Sequence, residues 1–238
     1  MLHLSYDFHI HSSLSPCSNN DMTPGNIVAM AKLKKLDAIA VTDHNSCKNI
    51  PAVMSYAKQF GILAIPGMEL TTQEEVHVLC YFYSLSAAMR FDALVYQRLI
   101  PIANREEVFG EQIVYDNQDN PVEKIPNLLI NSTTISFDEL WGLLAEYDGI
   151  MVPAHLDKTS ASIISNLGFI PPDSKFDCAE LRHLSNLKQL QETNPYLKSC
   201  RIISSSDAHS LHEIREPSYT IQVKEKSIRG VLDALSKK

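Results

Sequence analysis

The sequence has little glycine and none of the glycine-rich motifs that bind phosphate. Only 8 of its 238 residues are glycine, and neither G-x-G-x-x-G nor G-x-x-x-x-G-K occurs. This absence excludes the commonest nucleotide-cofactor and NTPase sites. No apolar run approaches the roughly 18 residues that a membrane-crossing helix requires, so no membrane association is expected. The N-terminus has no basic segment followed by an apolar stretch, and we expect no signal peptide.

Paired cysteines and excess positive charge are also lacking. The five cysteines form no C-x-x-C pair, which argues against a zinc ribbon or a dithiol redox site. Free thiols fit a reducing compartment, and a cytoplasmic location is expected. The 21 Lys and Arg residues against 28 Asp and Glu give a net charge of -7. Because cations on phosphates supply most nucleic-acid affinity, we do not expect a long duplex as a partner. The oligomeric state stays open.

Short apolar runs alternate with amphipathic segments along the chain. Seven runs have the length and composition of strands: residues 4–9, 38–42, 63–66, 76–83, 150–153, 176–181 and 201–204. Segments with helical spacing lie between them, and Ser136 and Glu139 form a capping box at the start of one. This alternation predicts an α/β protein with a parallel sheet covered by helices, either open or closed into a barrel.

No repeat, low-complexity tract or linker divides the chain, so residues 1–238 are expected to form one domain. The stretch 116–134 is rich in turn-forming residues and predicts a loop or hairpin insertion.

Imidazoles and carboxylates follow the ends of the predicted strands. Intervals of 33 residues from His11 to His44 and 25 residues from His44 to Glu69 each correspond to about one strand plus one helix. Because the carboxyl ends of parallel strands converge on one face, these side chains are expected to meet in one pocket. The set comprises His9, His11, His44, Glu69, His155, Asp207 and His209.

Such a cluster would be costly to bury without a counter-ion, and divalent metal ions resolve this cost. Neutral imidazole and carboxylate together favour Zn, Mn or Fe. His9 and His11 lie two apart on an extended segment, so both face one side and can chelate one ion. A glutamate such as Glu69 can bridge two ions roughly 3.5–4 Å apart.

At these residues the chain resembles the polymerase and histidinol phosphatase family, the PHP domain of metal-dependent phosphoesterases. Four motifs match in order: His9-x-His11 with Ser12, Thr42-Asp43-His44, His155, and Asp207-x-His209. The resemblance covers nearly the whole chain. It implies a distorted seven-stranded (βα)7 barrel of TIM type with an inserted helical and loop region, and two or three divalent ions.

The resemblance also implies a ligand set: His9, His11, His44, Glu69, His77, His155, Asp207 and His209. His77 comes from the resemblance alone, because it lies near the start of a strand-like run. Many small relatives carry an aspartate or histidine about five residues after the H-x-H pair, where this chain has Ser15, Pro16 and Cys17. Whether Cys17 or Asp21 supplies a ligand, or the third ion is absent, stays open. Asp43 is expected to anchor its neighbours rather than bind metal.

The predicted activity is hydrolysis of a phosphoester by a metal-activated water. Glu69 is expected to bridge the ions, and Asp207 or His209 to relay a proton. Lys158, Arg182 and Arg215 are candidates for binding the phosphate. The expected substrate is a small phosphomonoester, a nucleotide mono- or bisphosphate, or a short oligonucleotide, as for a nucleotide phosphatase or an exonuclease. Residues 85–137 are expected to shape the pocket as a lid.

Two other functions stay open. An amidohydrolase-type C–N hydrolase also begins with H-x-H on a strand, but it usually uses a bridging lysine where this chain has Glu69. A protein that uses the metals only to hold its fold, and that binds a nucleotide or a partner without catalysis, is the second alternative.

Overall fold

A computed structural model describes residues 1–236, which form eleven strands and eight α-helices. The strands are β1 (Leu2–Ile10), β2 (Ala38–Val41), β3 (Leu63–Ala64), β4 (Gly67–Thr71), β5 (His77–Phe82), β6 (Ile113–Tyr115), β7 (Pro121–Lys124), β8 (Gly149–Pro153), β9 (Cys178–Glu180), β10 (Arg201–Ile203) and β11 (Thr220–Val223). The helices are α1 (Pro24–Leu33), α2 (Ile50–Phe60), α3 (Leu85–Arg98), α4 (Glu106–Phe109), α5 (Phe137–Glu146), α6 (Ile163–Leu167), α7 (Leu187–Thr193) and α8 (Ile228–Leu235). Within residues 1–236, every helix is too short or too polar to cross a membrane.

Five of the eight α-helices begin at a residue whose side chain caps the first turn. Thr23 accepts a hydrogen bond from the Asn26 N–H and is followed by proline at the first position of α1. The capping box predicted at Ser136 and Glu139 is confirmed, with hydrogen bonds in both directions at the start of α5.

The strands form four hydrogen-bonded sheets. One has the order β11-β1-β2-β3, with β1, β2 and β3 parallel and β11 antiparallel at its edge. β9 and β10 form a parallel pair, β4-β5-β8 an antiparallel sheet, and β6-β7 a hairpin. The α/β class is confirmed. No closed barrel forms among the ladders of the described residues, so the predicted (βα)7 barrel is not confirmed.

The direction of β5 differs from the parallel arrangement that the alternation predicts. Only residues 72–76 connect β4 to β5, whereas a parallel crossover needs a dozen or more residues. β5 therefore returns antiparallel, with His77 opposite Thr71 and Val78 opposite Pro153. As a result the first residue of β5 lies beside the last residues of β4 and β8.

Alternate side chains of the strands pack into two cores. On β5, Val78 and Phe82 join the core that faces the helices, and Leu79 and Tyr81 join a second core with Phe8 of β1. Tyr81 donates its hydroxyl to the Phe8 carbonyl at 2.7 Å, which satisfies that buried group.

Residues 85–137 contain α3, α4 and the β6-β7 hairpin, so the hairpin predicted in the turn-rich stretch is present. This segment has a small core of its own, in which Leu99, Val114 and Leu129 pack against Leu14. Asn45 donates its amide to the carbonyls of Leu129 at 2.7 Å and Asn131 at 2.8 Å. These buried bonds hold the end of the segment against the residue that follows His44.

Gly110 gives a test of how tightly residues 85–137 are held. Its φ is +96°, and a Cβ at this position would lie 2.4 Å from the Pro16 carbonyl oxygen. We expect Gly110→Ala to lower the free energy of unfolding by about 2 kcal/mol, because it combines left-handed strain with a backbone clash. Urea denaturation measures this change.

Gly142→Ala is the matched control. Gly142 lies inside α5 with open space around its Cα, so alanine should raise the free energy of unfolding by about 0.5–1 kcal/mol. Equal stability of the two variants would show that the approach of Gly110 to Pro16 does not hold this segment.

Candidate metal centre

A single buried carboxylate, Glu69, lies among five imidazoles at the ends of the strands. Its side chain is 1% exposed, and its two oxygens lie 3.0–3.4 Å from a ring nitrogen of each histidine. Oε1 faces Nε2 of His9, Nδ1 of His77 and Nε2 of His155, and Oε2 faces Nε2 of His11 and Nδ1 of His44.

Backbone geometry brings these side chains together. His9 and His11 leave the same side of β1 and its end, and their Nε2 atoms lie 3.2 Å apart. His44, after β2, forms an isolated parallel bridge with Glu69 in the middle of β4. His155 and Asp207 have left-handed backbone, with φ of +30° and +57°, and they lie two residues after β8 and four residues after β10. Such strained residues persist where the surrounding structure fixes them, and they cluster at functional sites.

Hydrogen bonds behind the rings fix their orientation. His9 donates Nδ1–H to Glu180 Oε2 at 2.9 Å, which leaves Nε2 facing Glu69. His11 bonds through Nδ1 to the Ser15 hydroxyl at 3.0 Å, and that hydroxyl donates to Asp43 at 2.7 Å. Asp43 therefore points away from the cluster and anchors the loop that follows β1, as expected.

The open side of the cluster is formed by Asp207 and His209. Asp207 Oδ1 lies 3.4 Å from Nε2 of both His9 and His11, and Oδ2 accepts a hydrogen bond from Lys158 at 2.7 Å. His209 bonds through Nδ1 to the Asp207 carbonyl at 2.8 Å. The side chains of Asp207 and His209 are 9% and 30% exposed, against 0–1% for His9, His11 and Glu69, so solvent reaches the cluster on this side.

The electrostatics favour ionised carboxylate and neutral imidazole. Burial pushes the pKa of Glu69 up, but His77 and His9 outweigh it and hold this pKa well below its usual range. Burial lowers the pKa of His11 to about 4 and the pKa of His44 well below its ordinary value. His9 is the exception: burial lowers its pKa, but Glu180 and Glu69 hold it well above the ordinary value. Carboxylate and neutral imidazole are the forms that bind metal.

The residues present fit divalent metal ions. Three groups have ligand atoms that all lie within 4.8 Å of one another: His9, His11 and Glu69; His44, Glu69 and His77; and His11, His44 and His209. The Nδ1 atom of His44 is buried and makes no hydrogen bond within residues 1–236, although it lies 3.1 Å from Glu69. A cation between these groups would satisfy this atom and relieve the crowding of ring nitrogens.

Other candidate residues lie elsewhere or are already engaged. The Arg215 guanidinium donates to the Ser204 hydroxyl at 2.8 Å and the Ser205 carbonyl at 2.6 Å, and it lies over the Tyr219 ring. Arg182 is exposed. Cys17 and Asp21 are exposed and belong to none of the three groups, and Ser15 is the residue that bonds His11.

One residue at the centre, His77, was not found from strand spacing. His77 lies at the beginning of a strand, and the reversal of β5 brings it to Glu69 at 3.0 Å. The five-residue connection before β5 was the available signal, because it is too short for a parallel crossover. Glu180, which ends β9, also lies here: its Oε2 accepts hydrogen bonds from the His9 ring and the His155 N–H. Its Oε1 has no hydrogen-bond partner in the described part of the chain.

Comparison with known proteins identifies the family. Residues 7–159 match the model of the PHP domain, and the chain belongs to this family of metal-dependent phosphoesterases. An uncharacterized protein of Methanocaldococcus jannaschii is 30% identical over 76 residues, which is 29% of this chain and 44% of that protein.

Solved structures share the fold. The lesion-specific endonuclease Q of Pyrococcus furiosus superposes with a TM-score of 0.71 at 20% identity over 99% of this chain and 56% of its own. A protein of Bifidobacterium adolescentis described as a metal-dependent phosphoesterase gives 0.58 at 16% identity over 97% and 95% of the two chains. The chain thus spans about half the length of the M. jannaschii protein and of the endonuclease.

One expectation about partners needs correction. Endonuclease Q is also known in complex with a 27-mer duplex that has an abasic lesion at the active site, and this structure gives a TM-score of 0.72 at 19% identity over 99% of this chain and 57% of its own. A fold of this type therefore holds a long duplex in another protein. The exclusion of a long duplex rested on net charge, whereas binding depends on the local field at the site, and we do not retain it.

Proposed function

We propose that this protein is a metal-dependent hydrolase of phosphoesters, acting on a small phosphomonoester, a nucleotide or a short oligonucleotide. The observation that supports this most strongly is the Glu69 carboxylate in contact with ring nitrogens of five histidines. We assign two or three ions of Mn, Zn or Fe to His9, His11, His44, Glu69, His77, His155, Asp207 and His209. When bound, such ions activate water and neutralise charge on the phosphoryl oxygens.

The protein's own groups orient the site and handle protons. Glu180 holds the His9 ring with Nε2 toward Glu69, and Ser15 does the same for His11. Asp207 and His209 line the exposed side, where a proton can pass between the site and solvent. We assign Asp207 Oδ2 as the proton relay, because it already shares a proton of the Lys158 ammonium.

Lys158 is the cation that we assign to the phosphate. Its ammonium is half-buried beside Asp207. We expect Lys158→Met to lower kcat/KM about 10- to 100-fold, chiefly through KM, since a hydrogen bond to a charged group contributes roughly 1.5–3 kcal/mol. Lys158→Arg should retain most of the affinity. Steady-state kinetics on a nucleoside monophosphate measure both parameters.

Lys188→Met, at an exposed position of α7, is the control and should not change either parameter. If Lys158→Met lowered kcat but left KM unchanged, Lys158 would act only through its hydrogen bond to Asp207, and it would not bind the phosphate.

Phosphate release tests the proposed activity. The protein is loaded with Mn(II) and assayed on nucleoside mono- and bisphosphates, a short oligonucleotide, and amide and lactone substrates. We expect phosphate or nucleotide products only. Amide or lactone hydrolysis without phosphate release would support a C–N hydrolase instead. Tight metal binding with no turnover would support a binding protein.

We further propose that residues 1–238 act as one domain in which residues 85–137 form a fixed wall of the substrate site. The hydrogen bonds from Asn45 to the carbonyls of Leu129 and Asn131 support a fixed wall.

A further inference from the structure

A groove of about 400 Å³ lies directly beside the candidate metal centre. His77 lines this groove and also contacts Glu69 at 3.0 Å, so the groove and the metal centre share a residue. Its volume falls within the roughly 300–1,000 Å³ typical of small-molecule sites. A phosphoester bound at the metal centre would extend its remaining part into this space.

The walls of the groove are preformed. On one side, Asn131 and Ser132 lie near the end of the 85–137 segment, which Asn45 holds in place. Thr133, the next residue, donates its hydroxyl to the Thr71 carbonyl at 2.8 Å. On the other side, the Ala161 carbonyl accepts a hydrogen bond from the His77 N–H at 2.9 Å. A site whose walls are already bonded loses little entropy when a ligand binds.

The lining is polar but nearly uncharged. Thr71, Ser132, Thr159 and Ser160 contribute hydroxyls, and Asn131 contributes an amide. Thr71 is 3% exposed, and its Oγ1 has no hydrogen-bond partner among the described residues. A polar group of a ligand bound in this groove would satisfy this hydroxyl.

The one formal charge limits the ligand further. Among the described residues that line the groove, Glu75 is the one acidic residue, and it is exposed. No arginine or lysine is part of this lining. A second phosphate placed here would meet the like charge of Glu75 and no lysine or arginine, which costs affinity.

We propose that this groove binds an uncharged, hydroxyl-bearing part of the substrate, such as a sugar ring, and that it selects monophosphates over bisphosphates. This inference rests on the proposed function. In the reaction, water oxygen forms a bond to phosphorus, the ester P–O bond breaks, and the released alcohol oxygen takes a proton. The groove would hold the alcohol product. A free sugar phosphate and the ribose of a nucleotide offer the same hydroxyl chemistry.

The kinetic test compares four esters with the Mn(II)-loaded protein: fructose 6-phosphate, adenosine 5′-monophosphate, butyl phosphate and fructose 1,6-bisphosphate. We expect kcat/KM for fructose 6-phosphate or for adenosine 5′-monophosphate to exceed that for butyl phosphate about tenfold or more. Which of these two esters is preferred distinguishes a free sugar phosphate from a nucleotide as the substrate. Thr71→Val and Ser160→Ala should each reduce this preference about 2- to 10-fold, the effect of one neutral hydrogen bond. Thr220→Val, on the edge strand β11, is the matched control.

Charge at position 75 gives a second comparison. Glu75→Lys should raise kcat/KM for fructose 1,6-bisphosphate relative to fructose 6-phosphate about tenfold, and Glu75→Gln should have a smaller effect. A wild-type preference for butyl phosphate or for the bisphosphate would overturn the inference. So would a preference that Thr71→Val and Ser160→Ala leave unchanged.

Direct binding separates this inference from the proposed function. Saturation-transfer NMR with fructose and the metal-free protein requires no turnover. We expect transfer to the sugar protons in wild type and a reduced signal in Thr71→Val and Ser160→Ala. Absence of transfer in wild type would reject the groove as a sugar site even if phosphate release succeeds. Transfer without phosphate release from any ester would keep the groove and reject the phosphoesterase.

Discussion

Glu69→Gln is expected to lower kcat for phosphoester hydrolysis at least about 10³-fold while leaving the fold intact. Glutamine has the same size, but its neutral amide cannot hold cations on both oxygens. Both oxygens are needed, because Oε1 faces three of the five histidines and Oε2 faces the other two. Loss of roughly 4 kcal/mol of transition-state stabilisation corresponds to this factor. Phosphate release with Mn(II) measures kcat, and circular dichroism measures the fold.

Glu192→Gln is the matched control for this variant. Glu192 lies on α7, is exposed, and should tolerate the same substitution without effect. Equal phosphate release by wild type and Glu69→Gln would mean that the activity belongs to a contaminant or to another site. A Glu69→Gln protein that is unfolded is replaced by Glu69→Asp, which keeps the charge but shortens its reach.

Chelation of the metal is expected to lower the melting temperature by about 10 °C. Ligand present at about 1,000 times its Kd stabilises a protein by roughly 4 kcal/mol, and 1 kcal/mol corresponds to about 2–4 °C for a chain of this size. Without a cation, the ring nitrogens of His9 and His11 face each other at 3.2 Å, and His44 Nδ1 has no hydrogen-bond partner. Differential scanning fluorimetry with and without a chelator measures the shift.

The same chelation experiment on Glu69→Gln provides its control. The melting temperature of Glu69→Gln should change little on chelation, because this variant has already lost the carboxylate common to two ligand groups. If chelation left the melting temperature of wild type unchanged, the histidine cluster would be stable without metal, and the metal would have no structural role.

The local chemistry of the site could be predicted from sequence because it depends on strand ends. His9 and His11 are two apart on β1, and His44 follows β2 in parallel to it. Neighbouring parallel strands end at the same edge of the sheet. Intervals of about one strand plus one helix between successive site residues therefore indicate that these residues lie at that edge. The structure accordingly places these side chains around Glu69.

The antiparallel direction of β5 shows why the spacing of strand ends did not predict every residue of the site. A prediction that considers only the last residues of strands misses His77. β5 is antiparallel to β4, so its first residue lies at the edge where the other strands end. The strand that carries Glu69 was also not predicted as a separate element: residues 63–66 were expected to end just before it, whereas β4 continues from Gly67 to Thr71. Both differences arise from hydrogen bonding between strands, which periodicity within one segment does not encode.

The groove beside His77 could not be predicted at all. Its walls come from residues 130–132 and 159–161, which have no helical or strand periodicity. Their positions depend on long-range hydrogen bonds such as those from Asn45 and Thr133. For the same reason, nothing in the sequence around Arg215 showed that its guanidinium is engaged by Ser204 and Ser205.

The most direct measurement is an anomalous diffraction map of crystals grown with Mn(II), collected on both sides of the manganese absorption edge. We expect anomalous peaks within bonding distance of the Glu69 carboxylate, shared with the rings of His9 and His11 on one side and His44 and His77 on the other. These peaks should be absent from Glu69→Gln crystals at the same metal concentration. Fully ordered side chains around Glu69 with no peak there would contradict the assignment of this cluster as the metal centre.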